Sequence, residues 1–266
     1  MILTRVFHNN CLRFSASALD WCEGARIFLS HFKGLPKLSI RGVTLLLPLV
    51  AFAAGDPSLQ PVANIKPILE DLQHKMASVR TVYLEFTQEE HYVTLFDQPQ
   101  LSQGVMLMER PDQIRWEYTK PFQSILLGNR KSVAQFEFNN GQWKKLDLGF
   151  PQMLRRVMEQ MSMMNQGKLD ALTSDYTVSV ATNSSQVVLT MVPKDQSVRS
   201  MLPALEIHLA ADLSATREVV MQESGGDFRR IIFNRELRDR NFPAASFDQS
   251  KPLDLSAITN SINHGP

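Results

Sequence analysis

Apolar and polar positions alternate with a period of two along most of the chain beyond residue 79, and with a period near 3.6 in two stretches. Alternation predicts strands, whose successive side chains face opposite ways; the longer period predicts amphipathic helices. Ile65, Ile68, Leu69, Leu72 and Met76 form the stripe of a helix over 61–78, with Asn64 as N-cap and Pro67 in the first turn. Residues 79–96 then alternate, Val82, Leu84 and Phe86 against Tyr83, Glu85 and Thr87. Strands follow at 124–127, 133–138 and 142–148, with turns at Gly128-Asn129 and Asn139-Asn140-Gly141. The helical period returns over 150–166, where Leu154, Val157, Met158, Met161 and Met164 share a face. Alternation resumes at 176–181, 186–192, 204–210, 217–223 and 228–234. Residues 193–203 read as a polar loop, and the tail from Pro243 as a segment lying along the sheet edge. Roughly ten strands and two helices joined by short turns predict a mainly β fold with α, one large antiparallel sheet that curls over helices.

The stretch 104–118 anchors this pattern. Met106, Met108 and Arg110 fall on one face of a strand that Pro111-Asp112 ends; Ile114, Trp116 and Tyr118 share a face of the next, with Arg115 and Glu117 opposite. Arg110 therefore stands at the rim of an apolar surface. It is either a strand-end cation in water or a guanidinium offering fixed donors to a carbonyl oxygen.

Composition separates the start of the chain from the rest. The formal net charge is +1, yet residues 1–53 hold six Lys/Arg and two Asp/Glu, which leaves 22 basic and 25 acidic groups, a net of −3, beyond them. No basic field for nucleic acid is present there. Lys37 and Arg41 flank the apolar run 42–52, and Ala51-Phe52-Ala53 offers small residues at the spacing of a signal-peptidase site. The run is too short to span a bilayer, which takes about 20 residues. The expectation is a signal segment within 1–53, cleaved near Ala53, a true start near Leu35 with 1–36 as an extraneous extension, and a single domain over 54–266. Cys11 and Cys22 both precede the cleavage site, so the mature chain would hold no disulfide and no thiol nucleophile.

Catalytic chemistry finds little support. There is no G-x-S-x-G, P-loop or H-E-x-x-H motif. His74, His91, His208 and His264 have no ligand spacing between them, so no metal site is expected. Glu89 and Glu90 are adjacent, hence on opposite faces of a strand and poorly placed as an acid/base pair. Gly225-Gly226-Asp227 reads as a turn. These features favour binding over catalysis, with no cofactor.

Phe86-Thr87-Gln88, Gly104, the run Arg110-Pro111-x-x-x-Arg115-Trp116, Pro121 and Ser124-Ile125-Leu126 stand at spacings that resemble the periplasmic outer-membrane lipoprotein carrier (LolA) family. The resemblance extends in element order over most of 61–250. It implies an open, strongly curved antiparallel sheet, an unclosed barrel covered by lid helices, whose concave apolar face takes the acyl chains of a lipoprotein. It also implies that Arg110 latches the lid by bonding to its backbone, that Met106, Met108 and Trp116 line the hollow, and that Leu154, Met158, Met161 and Met164 lie on a lid helix over 153–164. The implied partners are an acylated cargo, an inner-membrane donor complex and an outer-membrane acceptor, in the periplasm. A departure follows Leu127, where Gly128-Asn129-Arg130-Lys131 replaces the family's usual aspartate-glycine turn. A lipid-sensing regulatory module that signals to a membrane partner on the same scaffold is the alternative; an esterase would need the missing nucleophile motif.

Overall fold

The computed structural model describes residues 56, 58–147, 162, 163, 166–168 and 173–264. The expected signal segment, the start near Leu35 and the boundary at 53/54 lie outside these residues. Gln60–Pro266 forms one compact unit.

Strands form where the alternation predicts them, and all pair antiparallel in a single sheet. In chain order they are β1 (Gln60–Pro61), β2 (Thr81–His91), β3 (Gln100–Glu109), β4 (Gln113–Lys120), β5 (Ser124–Gly128), β6 (Val133–Asn139) and β7 (Gln142–Lys145), then β8 (Tyr176–Thr182), β9 (Gln186–Pro193), β10 (Leu205–Ala210), β11 (Thr216–Gln222) and β12 (Phe228–Arg238). Their spatial order is β1-β8-β9-β10-β11-β12-β2-β3-β4-β5-β6-β7, so the sheet is open, with β1 and β7 as its edges. Both edges are short, and β7 carries Lys144 and Lys145, which discourages edge-to-edge pairing. Helices among the described residues include α1 (Lys66–Ala77), α2 (Gln196–Met201) and α3 (Leu255–His264).

The sheet curls around α1. Ile65, Ile68, Leu69, Leu72 and Met76 pack against Val180, Leu189, Ile207 and Leu209 of β8 to β10, while Met76 also lines a cavity with Val82 of β2 and Met108 of β3. At roughly 4.8 Å per strand, β8 and β3 would lie about 29 Å apart in a flat sheet. A helix of 12 residues is only about 18 Å long, so the strands must wrap to reach it. Register shifts at Gln103/Gly104, His208/Leu209 and Phe233/Arg235 supply bends.

Two segments differ from the sequence expectation. Residues 193–203 contain α2, because Asp195 accepts from the backbone N–H groups of Ser197 and Val198 and so starts a helix in a polar stretch. The tail does not follow the sheet edge. A 3₁₀ turn at Ala244–Phe247 and α3 lie across the convex face, where Ile258 and Ile262 bury against Tyr83, Val105 and Leu107. No alternation could announce this, because the tail's apolar residues are too sparse to show a period until the sheet offers them a surface.

Candidate functional site

On the concave face the cross-strand register brings together residues from four strands. Leu84 stands opposite Met106, which stands opposite Trp116; one step along, Val82 faces Met108 and Met108 faces Ile114. Val82, Leu84 and Met106 are buried, and Met108, Trp116 and Phe233 pack against them. Phe86 lies over Gly104, where an added Cβ would come within 2.6 Å of the Phe86 ring and 2.1 Å of the Glu117 carbonyl. Only glycine fits there, which lets Phe86 meet Trp116 edge-on at 5.3 Å and Tyr118 at 5.6 Å. Beyond the aromatics the face turns polar: Tyr118 donates to Gln88 (2.9 Å), Gln88 to Glu90 (2.7 Å), and Tyr92 to Glu90 (2.6 Å). Burial and the Glu90 carboxylate push the Tyr92 hydroxyl above its ordinary range. This ladder ends the apolar surface.

Arg110 stands at the opposite end. Its backbone N–H continues the ladder to Arg80 (3.0 Å), and its guanidinium Nη2 donates to the Met76 carbonyl at 2.6 Å. Met76 is in the last turn of α1, where carbonyls lack intrahelical partners and the helix dipole favours a cation. The next residue holds a second segment: the Pro111 carbonyl accepts from Ser162 Oγ (3.1 Å) and Gln166 Nε2 (2.6 Å). Gly167 there has φ +70° and an added Cβ would stand 2.7 Å from the Gln73 carbonyl of α1. The Arg110-Pro111 dipeptide thus bonds to both segments that meet at this end of the hollow.

Of the residues singled out from the sequence, Arg110, Met106, Met108 and Trp116 come together on this face, and Met106 is the most buried of them. Leu154, Met158, Met161 and Met164 lie outside the described residues. Sequence reasoning missed Glu236 and Arg238. A cavity of about 50 Å³ lies among Met76, Val82, Leu84, Met108 and these two residues. Arg238 Nε donates to Glu236 Oε1. Glu236 Oε2 and Trp116 Nε1 are both buried without a partner among the described residues. Each such atom costs on the order of 1–3 kcal/mol, so the face is not a finished core. Strict alternation from Phe233 would have put Arg235 and Leu237 here. The register shift at Asn234 reverses that, turning Glu236 and Arg238 inward and Leu237 toward the tail. The one legible signal was the pair of opposite charges two residues apart.

The convex face holds a charge pair of β4. Arg115 is fully buried and binds Glu117 Oε2 through Nε (2.9 Å) and Nη2 (2.6 Å), and donates to the carbonyls of Ser246 (3.1 Å) and Leu253 (2.7 Å). Burial raises the Glu117 carboxyl above its ordinary range while Arg115 pulls it back. This pair fastens the tail. Among the described residues no group of three or more His, Cys, Asp or Glu is placed to hold a metal, and no helix is long and apolar enough to cross a membrane.

Residues 77–250 match the family model for the outer membrane lipoprotein carrier protein LolA. Over 102 residues the chain is 22% identical to an uncharacterized protein of Rickettsia prowazekii, a match that covers 38% of this chain and 44% of that one. The matched stretch therefore spans less than half the length of that relative. Solved structures similar to this chain include a chain of the Pseudomonas aeruginosa MucA/MucB complex, at 14% identity over 70% of this chain and 61% of that one, with a TM-score of 0.40. Another is a LolA superfamily protein of Nitrosomonas europaea, at 10% identity over 71% of this chain and 99% of that one, with a TM-score of 0.38.

Proposed function

The chain belongs to the outer membrane lipoprotein carrier protein LolA family, and on that premise we propose that it is a non-enzymatic carrier which shields acyl chains in the hollow beneath α1. The cargo is a lipoprotein or another acylated lipid. It is received from an inner-membrane donor complex and passed to an outer-membrane acceptor, and the protein works in the periplasm after loss of a signal segment. The observation that supports this reading most is the Arg110–Met76 hydrogen bond, which holds the end of a helix over an apolar concave face.

Magnitudes make the exchange feasible. Leu72 is the buried side chain of α1, and Ile65, Ile68, Leu69 and Met76 are partly covered. At about 1.5–3 kcal/mol for each fully buried side chain, docking of α1 is worth on the order of 5–8 kcal/mol. Ten methylenes moved from water into the same hollow contribute about 8 kcal/mol. One or two acyl chains therefore compete with the helix on even terms, and a single hydrogen bond at its end can bias the balance between closed and open populations. Met158, Met161 and Met164 would line the roof of the open state, where unbranched sulfur side chains adapt to chains of varied shape.

The test is binding and release of a fluorescent acyl probe. Arg110→Leu should bind the probe at least as tightly as the native chain and release it to acceptor vesicles several-fold more slowly. Unchanged release would remove Arg110 from the latch role. A native protein that takes up no acyl probe, and co-purifies with no acylated lipid by mass spectrometry, would end the carrier reading.

A further inference from the structure

Between Arg110 at one end and the Tyr118–Gln88–Glu90 hydrogen bonds at the other, the apolar stretch of the concave face is interrupted by one charge pair. Glu236 stands opposite Leu84 and Arg238 opposite Val82 on β2, so both project into the hollow that the proposed carrier role assigns to acyl chains. A surface charge pair needs no explanation, but this one lies against Met76, Met108 and Val82 beside a cavity of about 50 Å³. The Glu236 side chain is only 14% exposed. Its Oε1 accepts from Arg238, and its Oε2 is buried with no partner among the described residues. The cavity has room for a water or for one small polar group, and none for an acyl chain. Its wall includes Met76, the residue whose carbonyl Arg110 holds, so displacement of α1 would open directly onto the free oxygen.

We infer that Glu236 and Arg238 form a polar subsite inside the hollow, and that Glu236 Oε2 accepts the N–H of an amide joined to a bound acyl chain. The inference rests on the acyl-carrier reading and gives that cargo a chemical class. An acceptor oxygen calls for a donor, which an ester linkage lacks. The carboxylate charge is already matched by the Arg238 guanidinium, and Arg110 adds a second cation on the same face. A neutral N–H suits this balance; an ammonium headgroup would bring a further positive charge against two guanidinium groups. The site therefore distinguishes an amide-linked acyl chain from an ester-linked one, and from a lipid amine.

Competition against a fluorescent acyl probe tests this with three competitors of one chain length: hexadecanoic methyl ester, N-methylhexadecanamide and hexadecylamine. The native protein should bind the amide about tenfold more tightly than the ester, as a hydrogen bond to a charged acceptor implies, with the amine no better than the ester. In Glu236→Leu the ratio of amide to ester should fall to about one while the ester still binds. Equal affinity for amide and ester in the native protein, or a preference that survives in the variant, would overturn the inference and leave water as the occupant. A clear preference for the amine would overturn it in favour of a lipid headgroup. These outcomes leave the carrier reading standing. Failure of all three competitors, and of the probe itself, would sink that reading and the subsite with it.

Discussion

Arg110 and Arg115 sit five residues apart in one hairpin and do opposite things, because β3 and β4 send them to opposite faces. Arg110 meets a helix-end carbonyl at the rim of the hollow; Arg115 is fully buried beneath the tail, with a carboxylate and two carbonyls around it. Trp116, next after Arg115 and on the opposite face, packs with Phe86 and Met106, its indole N–H unpaired among the described residues. Trp116→Ala should cost about 3 kcal/mol, read as a lowered denaturation midpoint; an unchanged midpoint would mean that the ring contributes nothing to the closed state. Glu117 gives a pH signature. Burial raises its carboxyl in the fold, so in the unfolded chain it loses its proton near the ordinary carboxylate value and in the fold only at higher pH. Its contribution is complete below the ordinary value and is lost as pH rises through the raised one. Melting temperature should fall across that window, and Glu117→Gln should flatten the fall; identical slopes would contradict the assignment.

At the scale of elements, two devices shape the site. The first is the register shift at Asn234, which turns the end of β12 over so that Glu236 and Arg238 face the hollow and Leu237 joins the tail's cluster. The second is the tail, a 3₁₀ turn and α3 that cover Tyr83, Val105 and Leu107. Ending the chain at Asp239 should expose these residues, and it would leave the buried Arg115–Glu117 pair without the Ser246 and Leu253 carbonyls. Removing the partners of a buried charge typically costs several kcal/mol, so the shortened protein should lose its cooperative melt or aggregate. A sharp melt with little change in midpoint would show that the tail is dispensable to the sheet.

Across the whole molecule, one curled sheet separates two apolar interiors that differ in use. The convex one is closed by the tail through buried ionic and backbone hydrogen bonds and leaves Ser246 Oγ without a partner among the described residues, whereas the concave one is closed by α1 and leaves Trp116 Nε1 and Glu236 Oε2 so. Hydrogen exchange should report the difference. On addition of an acyl ligand, amides of α1 should lose protection while those of β2 to β5 keep or gain it. Uniform protection throughout would mean that the ligand binds without moving the helix.

Much of this was legible in the chain. The strands, the hairpin at Pro111-Asp112, the α1 stripe and the common face of Met106, Met108 and Arg110 follow from local pattern. The period of side chains and the geometry of proline act within a few residues, whereas the need for glycine at 104 comes from Phe86 and Glu117 on neighbouring strands. The family likeness rests on those same positions. The choice between the two readings of Arg110 did not follow, because the carbonyl that receives it lies 34 residues away. Nor did the inward turn of Glu236 and Arg238, since a single extra residue in β12 reverses the alternation from which a face is read. The tail's place on the convex face was equally hidden, its few apolar residues having no period until Tyr83, Val105 and Leu107 are brought together. The sequence by itself determined which segments are strands and which face of each is apolar, since those depend on neighbours along the chain. Only the tertiary structure decided what each face meets and which polar atoms are left without partners, since those depend on contacts between residues far apart in the sequence.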